Sequence, residues 1–361
     1  MLKRGLEGVI VAETVIGDVD GQKGQLLYRG YNAADLAETK SFEEVAFLLL
    51  NGELPTSEER KEFETELIEK RSLPKSIQTL MHSLPLSLSI MDVLRTCVSS
   101  LNSKATWPPT KAEAIQLIAL FPTIIATWVC HTKGEDLPNT DPTLNHVDHY
   151  FYLLTGKKPE PAQSAALTAY LVLTMEHGMN ASTFAARVVS STESDLPSAI
   201  CGALGAMKGP LHGGAPTGVL QLLKDVQTSS DKPERVLRKK LDAGEKLMGF
   251  GHRVYKTYDP RAVALRNVLQ KSGDDHHALQ DAVTLEALIT QLLAEYKPGR
   301  KLHVNVEYYA AAVMDALQLD SNWFTPTFCV SRIVGWSAHV LEQSVDNRIF
   351  RPSQEYTGGV K

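Results

Sequence analysis

The sequence predicts a mainly α-helical protein, and three observations carry that expectation. Helix-start signals recur along the chain, extended patterning is confined to its N-terminal end, and no recurring strand–helix alternation of the kind that builds a parallel sheet is found. With 361 residues, the chain exceeds the length at which one core stops growing, so two lobes are expected.

Taken in order, the stretch "VIVAETVIGDVDGQKGQLLY" (residues 9–28) is rich in Val and Ile and turns at Asp20-Gly21, the signal of a β-hairpin. Next, "SFEEVAFLLLNG" opens with Ser41 and Glu44 in capping-box spacing, runs apolar through Leu50 and stops at Gly52. Thr56 and Glu59 repeat the spacing after Pro55. Helical patterning then covers residues 111–127, 161–175, 181–189, 197–207 and 217–226. There is no internal repeat and no low-complexity linker.

Lys plus Arg number 37 against 42 for Asp plus Glu, with no long run of either sign. That mildly acidic balance leaves no footprint for nucleic acid or an anionic membrane, so any anionic ligand must be met by local basic groups. No apolar stretch reads as long enough to span a bilayer, and Glu13 interrupts the short apolar run that follows the basic N-terminus, unlike a signal peptide. Cys97, Cys130, Cys201 and Cys329 lie far apart without CxxC spacing, which suits buried reduced thiols and a cytoplasmic location. His146, His149, His276 and His277 have no HExxH or cysteine partner pattern and read as surface or packing residues, so no metal site is expected.

Four stretches place polar groups in apolar company. In "MKGPLHGGAPTGVLQLL" a small-residue helix ends at Lys208-Gly209 and another begins near Pro216, leaving His212 in a tight glycine-flanked loop. It is either an incidental turn histidine or a group that a ligand can reach. In "GFGHRVYKTYDPRAVALR" the glycines Gly249 and Gly251 lead into His252, and Asp259-Pro260 is an N-cap and N1 pair that puts Arg261 in the first helical turn. A cation there opposes the helix dipole, so Arg261 is either solvated or placed for a bound anion. In "TPTFCVSRIVGWSAHVLEQ" helical spacing sets Arg332 one turn from both Phe328 and Trp336, where a poorly hydrated guanidinium needs an internal carboxylate or an anionic ligand. In "LTMEHGMNASTFAARV" a break between helices turns His177 and Asn180 inward, as core residues or as site residues. A fifth stretch, "HVNVEYYAAAV", puts Glu307 in the first turn of a helix capped by Asn305, where the dipole is expected to hold its carboxylate ionised. Glu307 is there either a capping charge or a base.

Together these stretches resemble the citrate synthase family. The likeness begins at "LLYRGYNAADLAETKSFEEVAFLLLNGELP", continues through "EHGMNAST", "GPLHGGA", "GFGHRVYKTYDPRA" and "NVEYYAAAV", and ends at "FTPTFCVSRIVGW" and "RIFRPSQEYTG". The resemblance implies a large helical domain (1–213 with 319–361) and a smaller helical one (214–318) closing over a cleft. It implies a cytoplasmic homodimer of the short type, without the additional N-terminal domain and NADH site of some bacterial relatives.

By the same resemblance His212 would bond the thioester carbonyl, and His252 would polarise the ketone of oxaloacetate. His177, Arg261 and Arg332 would hold the carboxylates of oxaloacetate, with Asn180 beside them and Arg351 reaching in from a second subunit. Leu247, Met248, Gly249, Phe250, Gly251, Arg300, Lys301 and Asn305 would face coenzyme A. The family's catalytic carboxylate is usually an aspartate in "NVD", and here it is Glu307, whose extra methylene displaces the carboxylate by about 1 Å.

The chemistry is consistent with that set. Joining a thioester methyl to a keto acid needs a base for a weakly acidic C–H, a donor at the enolate oxygen and an electrophile at the ketone. Arginines suit a dicarboxylate because each can fork onto a carboxylate. No metal or redox cofactor is called for; the coenzyme A thioester is a substrate. The resulting expectation is a citrate synthase using acetyl-CoA, with propionyl-CoA (2-methylcitrate synthase) or a non-catalytic citrate- or CoA-binding role as alternatives.

Overall fold

The computed structural model describes residues 3–101, 107–213, 215–252, 254–271 and 277–359. Gly214, the expected lobe boundary, Arg253 within the His252 stretch, and His276 lie outside the described residues.

The N-terminal pairing is shorter than expected. Strand β1 (Gly17–Asp20) runs antiparallel to β2 (Gln25–Tyr28), with Gly17 opposite Tyr28, and β3 (Tyr31–Asn32) pairs with β2. Residues 9–16 form no strand; the Val15 N–H donates instead to Glu342 Oε1 at 2.9 Å. Asp20 closes the hairpin by accepting the N–H groups of Gln22 and Lys23 on Oδ1. The tip is seated against the loop that follows His252: Lys256 N–H donates to Gly21 O, and a Cβ at Gly21 would lie 2.3 Å from the Val254 carbonyl oxygen.

The helices are α1 (Ala33–Thr39), α2 (Phe42–Asn51), α3 (Ser57–Glu69), α4 (Lys75–Ser83), α5 (Ile90–Ser99), α6 (Lys111–Lys133), α7 (His146–Thr155) and α8 (Pro161–Thr174). They continue as α9 (Ala181–Ser190), α10 (Leu196–Met207), α11 (Ala215–Gln227), α12 (Pro233–Asp242), α13 (Pro260–Lys271), α14 (His277–Tyr296), α15 (Val306–Ala316) and α16 (Phe324–Val345). The capping boxes at Ser41/Glu44 and Thr56/Glu59 are both formed, and Gly52 ends α2 in the left-handed region at φ 99°.

Helix α6 corrects two expectations. It runs on to Lys133, because the apolar face continues through Trp128 to Cys130 and the stop is Gly134 at φ 69°. It is also long and apolar enough by composition to cross a bilayer, yet 83% of its most apolar window is buried inside the fold, so it serves as a core helix.

At the centre lies α16, packed against α2, α5, α6, α8, α9 and α10. Each fully buried large side chain there, such as Trp336 or Ile333, contributes roughly 1.5–3 kcal/mol by leaving water. Helices α11, α12, α14 and α15 pack on one another, and α13 joins α15 to α1 and α8. His146 and His149 are fully buried; His146 stacks on Phe42 at 4.5 Å, so both are packing residues and neither is on the surface. All four cysteines are free thiols, and Cys201 is only half-buried.

Candidate active site

Seven of the expected residues line one cavity of about 790 Å³: His177, Asn180, His212, His252, Arg261, Glu307 and Arg332. Residues 5–9 and Val11 of the N-terminal segment border the same space.

His177 sits in the break between α8 and α9, where Gly178 adopts φ 59°. Its Nε2 lies 3.1 Å from the Tyr255 hydroxyl. Burial, then the charge of Arg261, holds its pKa well below the usual histidine value. Asn180 is already engaged as the N-cap of α9, with Oδ1 accepting from Thr183 N–H at 3.1 Å and Nδ2 donating to Gly178 O at 3.2 Å.

His212 occupies the turn between α10 and α11, its N–H donating to Gly209 O at 2.9 Å. The next position must be glycine, because a Cβ at Gly213 would lie 2.3 Å from the Met207 carbonyl oxygen. His212 Nε2 is 2.8 Å from Ser182 Oγ, which also lies 2.8 Å from Asn180 Oδ1 and accepts the Trp336 indole N–H at 3.0 Å. Burial, then Arg332, pushes the His212 pKa down to about 4.

His252 Nδ1 accepts the backbone N–H groups of Val254 and Tyr255, both at 3.1 Å. That assigns its proton to Nε2 in the neutral ring, and Nε2 lies 3.3 Å from Arg261 Nη2. Two donors therefore converge on one point, which is where an acceptor oxygen fits. Burial, then Arg261, brings the His252 pKa down to about 4.

The two arginines differ from each other. Arg261 is neither solvated nor dependent on a ligand for charge balance: Asp259 accepts from its Nε at 3.0 Å and its Nη2 at 2.9 Å. Arg332, 1% exposed, donates from Nε to Thr174 O at 2.7 Å and lies 4.8 Å from the Phe328 ring. Among the described residues no carboxylate is within ion-pair distance of Arg332, so the internal salt bridge considered from sequence is absent there.

Glu307 is in the first turn of α15, with its N–H donating to Asn305 Oδ1 at 3.1 Å. The helix terminus does not dominate its ionisation. Burial pushes its pKa up to about 7, Arg261 and Arg332 pull it down, and Asp259 pushes it up. A carboxyl group poised there is suited to taking a proton at neutral pH.

The stretch expected to face coenzyme A lies beside the cavity and does not line it. Phe250 bridges to Val304, Gly251 N–H donates to His303 O at 2.7 Å, and Asn305 Nδ2 donates to Gly251 O at 2.8 Å. Gly249 and Gly251 both have positive φ, and Gly249 packs against Tyr308, where a Cβ would lie 3.0 Å from that ring's own Cβ. Leu247 is buried, while Met248, Arg300 and Lys301 are exposed. Arg351 is exposed too, outside the cavity of its own chain, next to Phe350, whose ring meets Phe184 edge-on at 5.6 Å.

Sequence reasoning missed three supporting groups. Ser182 lies within the EHGMNAST stretch and Tyr255 within GFGHRVYKTYDPRA, so both were visible as neighbours. Asp259 was read as an N-cap only, although its position two residues before Arg261 allows the side chains to pair.

Such a cavity belongs to an enzyme that acts on an anionic substrate by acid–base chemistry. The family model described as "Citrate synthase, C-terminal domain" matches residues 5–353. The chain is 38% identical to the citrate synthase of Deinococcus radiodurans over 363 residues, 99% of this chain and 96% of that protein. It is 40% identical to the citrate/2-methylcitrate synthase of Bacillus subtilis over 366 residues, 98% of this chain and 96% of that protein. The crystal structure of citrate synthase from Thermotoga maritima MSB8 matches with a TM-score of 0.88 at 40% identity, covering 100% of this chain and 97% of that one. This chain belongs to the citrate synthase family and is an enzyme of the acyltransferase type.

Proposed function

We propose that this protein is a citrate synthase, which condenses acetyl-CoA with oxaloacetate and then hydrolyses citryl-CoA to citrate and CoA. The observation that carries the reading is Glu307, a carboxyl group with pKa raised to about 7, in the same cavity as two histidines that stay neutral at that pH and two arginines.

In this reading Glu307 takes the proton from the thioester methyl, and His212, steadied at Nε2 by Ser182, stabilises the developing enolate oxygen. The enolate carbon attacks the ketone carbon of oxaloacetate while His252 Nε2–H and Arg261 converge on the ketone side. His177 and Arg332 hold the carboxylates, and Asn180 shapes the loop beneath them. A positioned base contributes typically ~10²–10⁴-fold, and one donor at the oxyanion roughly 10²–10³-fold. Water then cleaves the thioester. These steps need no metal or redox cofactor.

The CoA-facing surface is assigned to Leu247, Met248, Gly249, Phe250, Gly251, Arg300, Lys301 and Asn305, because the 247–251 loop is bonded to the segment leading into Glu307. Residues 214–318 form the smaller lobe, 1–213 with 319–361 the larger, and a dicarboxylate held by Arg261 from one and Arg332 from the other draws them together. The working unit is a cytoplasmic homodimer in which Arg351 of each chain completes the other's cavity.

The test is steady-state CoA release with oxaloacetate and either acetyl-CoA or propionyl-CoA. The expected result is a larger kcat/KM with acetyl-CoA. The reverse order makes the protein a 2-methylcitrate synthase, and no release with either thioester contradicts the catalytic reading.

A further inference from the structure

The His177 loop is held from behind by groups that do not line the cavity. Glu176, with no exposed surface, accepts the Gly178 N–H on Oε1, and its Oε2 lies 3.1 Å from Nε2 of the equally buried His339. On the other side of that ring Nδ1 accepts from Arg187, Nε at 3.1 Å and Nη2 at 3.0 Å. Arg187 in turn donates to Gln343 Oε1 at 2.9 Å and pairs with Glu342 Oε2. Glu342 Oε1 accepts the Val15 N–H at 2.9 Å and the Thr14 hydroxyl at 3.2 Å. A continuous polar chain thus runs from the N-terminal segment that borders the cavity to the backbone of residue 178.

The chain has a fixed direction. Because Arg187 has only protons to offer, His339 Nδ1 is the acceptor and Nε2 carries the hydrogen, in close polar contact with Glu176 Oε2 at 3.1 Å but without hydrogen-bond alignment. Two N–H groups therefore face one carboxylate, which accepts that of Gly178 and lies against that of His339. An amide there has a single acceptor oxygen and must oppose one of them with its own N–H. Stability is a weak reason for burying such groups, since an apolar replacement of a buried ion pair is often equally stable. Geometry supplies a better one.

We propose that Glu176 is a positioning residue: through the Gly178 N–H, and braced by His339, Arg187 and Glu342, it fixes His177 at the oxaloacetate end of the cavity. The inference rests on the functional reading above for the identity of the ligand. Charge alone predicts the opposite outcome from positioning. Removing a negative charge near a site for a dianion favours binding, so a weaker affinity in the neutral variant isolates the geometric role.

Three full-length variants test this: Glu176→Gln, His339→Gln and His339→Leu. Oxaloacetate binding is read from the thermal-midpoint shift that it induces, and KM for each substrate from CoA release. Glu176→Gln is expected to raise oxaloacetate KM by about tenfold or more, with acetyl-CoA KM changing less than about twofold, because small misplacements of a binding group are costly. His339→Gln keeps an acceptor toward Arg187 and a donor toward Glu176, so it stays within about threefold of wild type, whereas His339→Leu behaves like Glu176→Gln. An unchanged or lower oxaloacetate KM in Glu176→Gln, or equal behaviour of the two His339 variants, overturns the proposal. If Glu176→Gln does not fold, the contrast between the His339 variants decides. The midpoint shift reports the relay even when no CoA is released, so failure of the catalytic reading stays distinct. A wild-type chain that shows no shift with oxaloacetate overturns both.

Discussion

Arg261 is gripped by Asp259 at two points, Nε to Oδ1 at 3.0 Å and Nη2 to Oδ2 at 2.9 Å, and neither side chain has more than marginal exposure. The same carboxylate accepts the N–H of Arg261 at the start of α13 and of Val306 at the start of α15. One buried anion thus sets the guanidinium that faces His252 and also ties together the helices that carry Arg261 and Glu307.

Removing that anion leaves a buried, uncompensated charge. Asp259→Asn is expected to cost on the order of 3–5 kcal/mol and to weaken oxaloacetate binding as well. Thermal unfolding checks it: a midpoint lowered by roughly 5 °C or more is expected, and an unchanged midpoint contradicts the assignment.

The pKa of Glu307 fixes the acid limb of activity. A base must be ionised to act, and burial has raised this group to about 7, so its active form is lost as pH falls through that value. His212 and His252, brought down to about 4, stay neutral over the same window and add no limb of their own. The profile of kcat/KM for acetyl-CoA is expected to bend near pH 7 and to fall about tenfold per unit below it. A flat profile down to about pH 5.5 contradicts the role.

Gly335 lets α16 approach the His177 loop. A Cβ there would lie 2.2 Å from the Met175 carbonyl oxygen and 2.9 Å from Glu176 Oε2. Gly335→Ala forces the helix and the loop apart, with an expected loss of about 1–3 kcal/mol and a raised oxaloacetate KM. Denaturant unfolding and kinetics on one preparation measure both, and wild-type values for both refute the close-packing argument.

Much of this architecture was legible because it is local. Ser41 with Glu44, and Thr56 with Glu59, are capping boxes readable from spacing alone, and the Asp20-Gly21 turn closes the hairpin as its residue types demand. The seven expected residues that share the cavity stood out through short stretches in which glycine flanks a histidine or a helix begins. What was not legible depends on partners distant in sequence. Val and Ile at residues 9–16 suggested a strand, yet Glu342, more than three hundred residues away, takes the Val15 N–H. The helix dipole suggested a readily ionised Glu307, but the burial that raises its pKa exists only once the cavity is assembled. The Ser182 contact to His212 and the Glu176–His339 pair likewise arise only when α9, α10 and α16 pack.

The homodimer is tested by complementation. Arg351 is exposed on its own chain, and in the proposed homodimer it completes the partner's cavity, so in a mixed dimer Arg351→Ala and His252→Ala both fall in one cavity and leave the other intact. Mixing the two inactive proteins under conditions that exchange subunits is expected to restore part of the wild-type activity through the one intact site. Activity no higher than that of either protein alone excludes the shared site.

The central claim is that Glu307 is the base, and turnover of Glu307→Gln with saturating oxaloacetate and acetyl-CoA tests it most directly. The amide keeps the size and the helix start but cannot take a proton. The account predicts that CoA release falls by roughly 10²-fold or more with oxaloacetate affinity largely kept, while Glu307→Asp retains measurable activity. Near wild-type turnover in Glu307→Gln would contradict it and reduce Glu307 to a helix-start charge, worth about 0.3–1 kcal/mol.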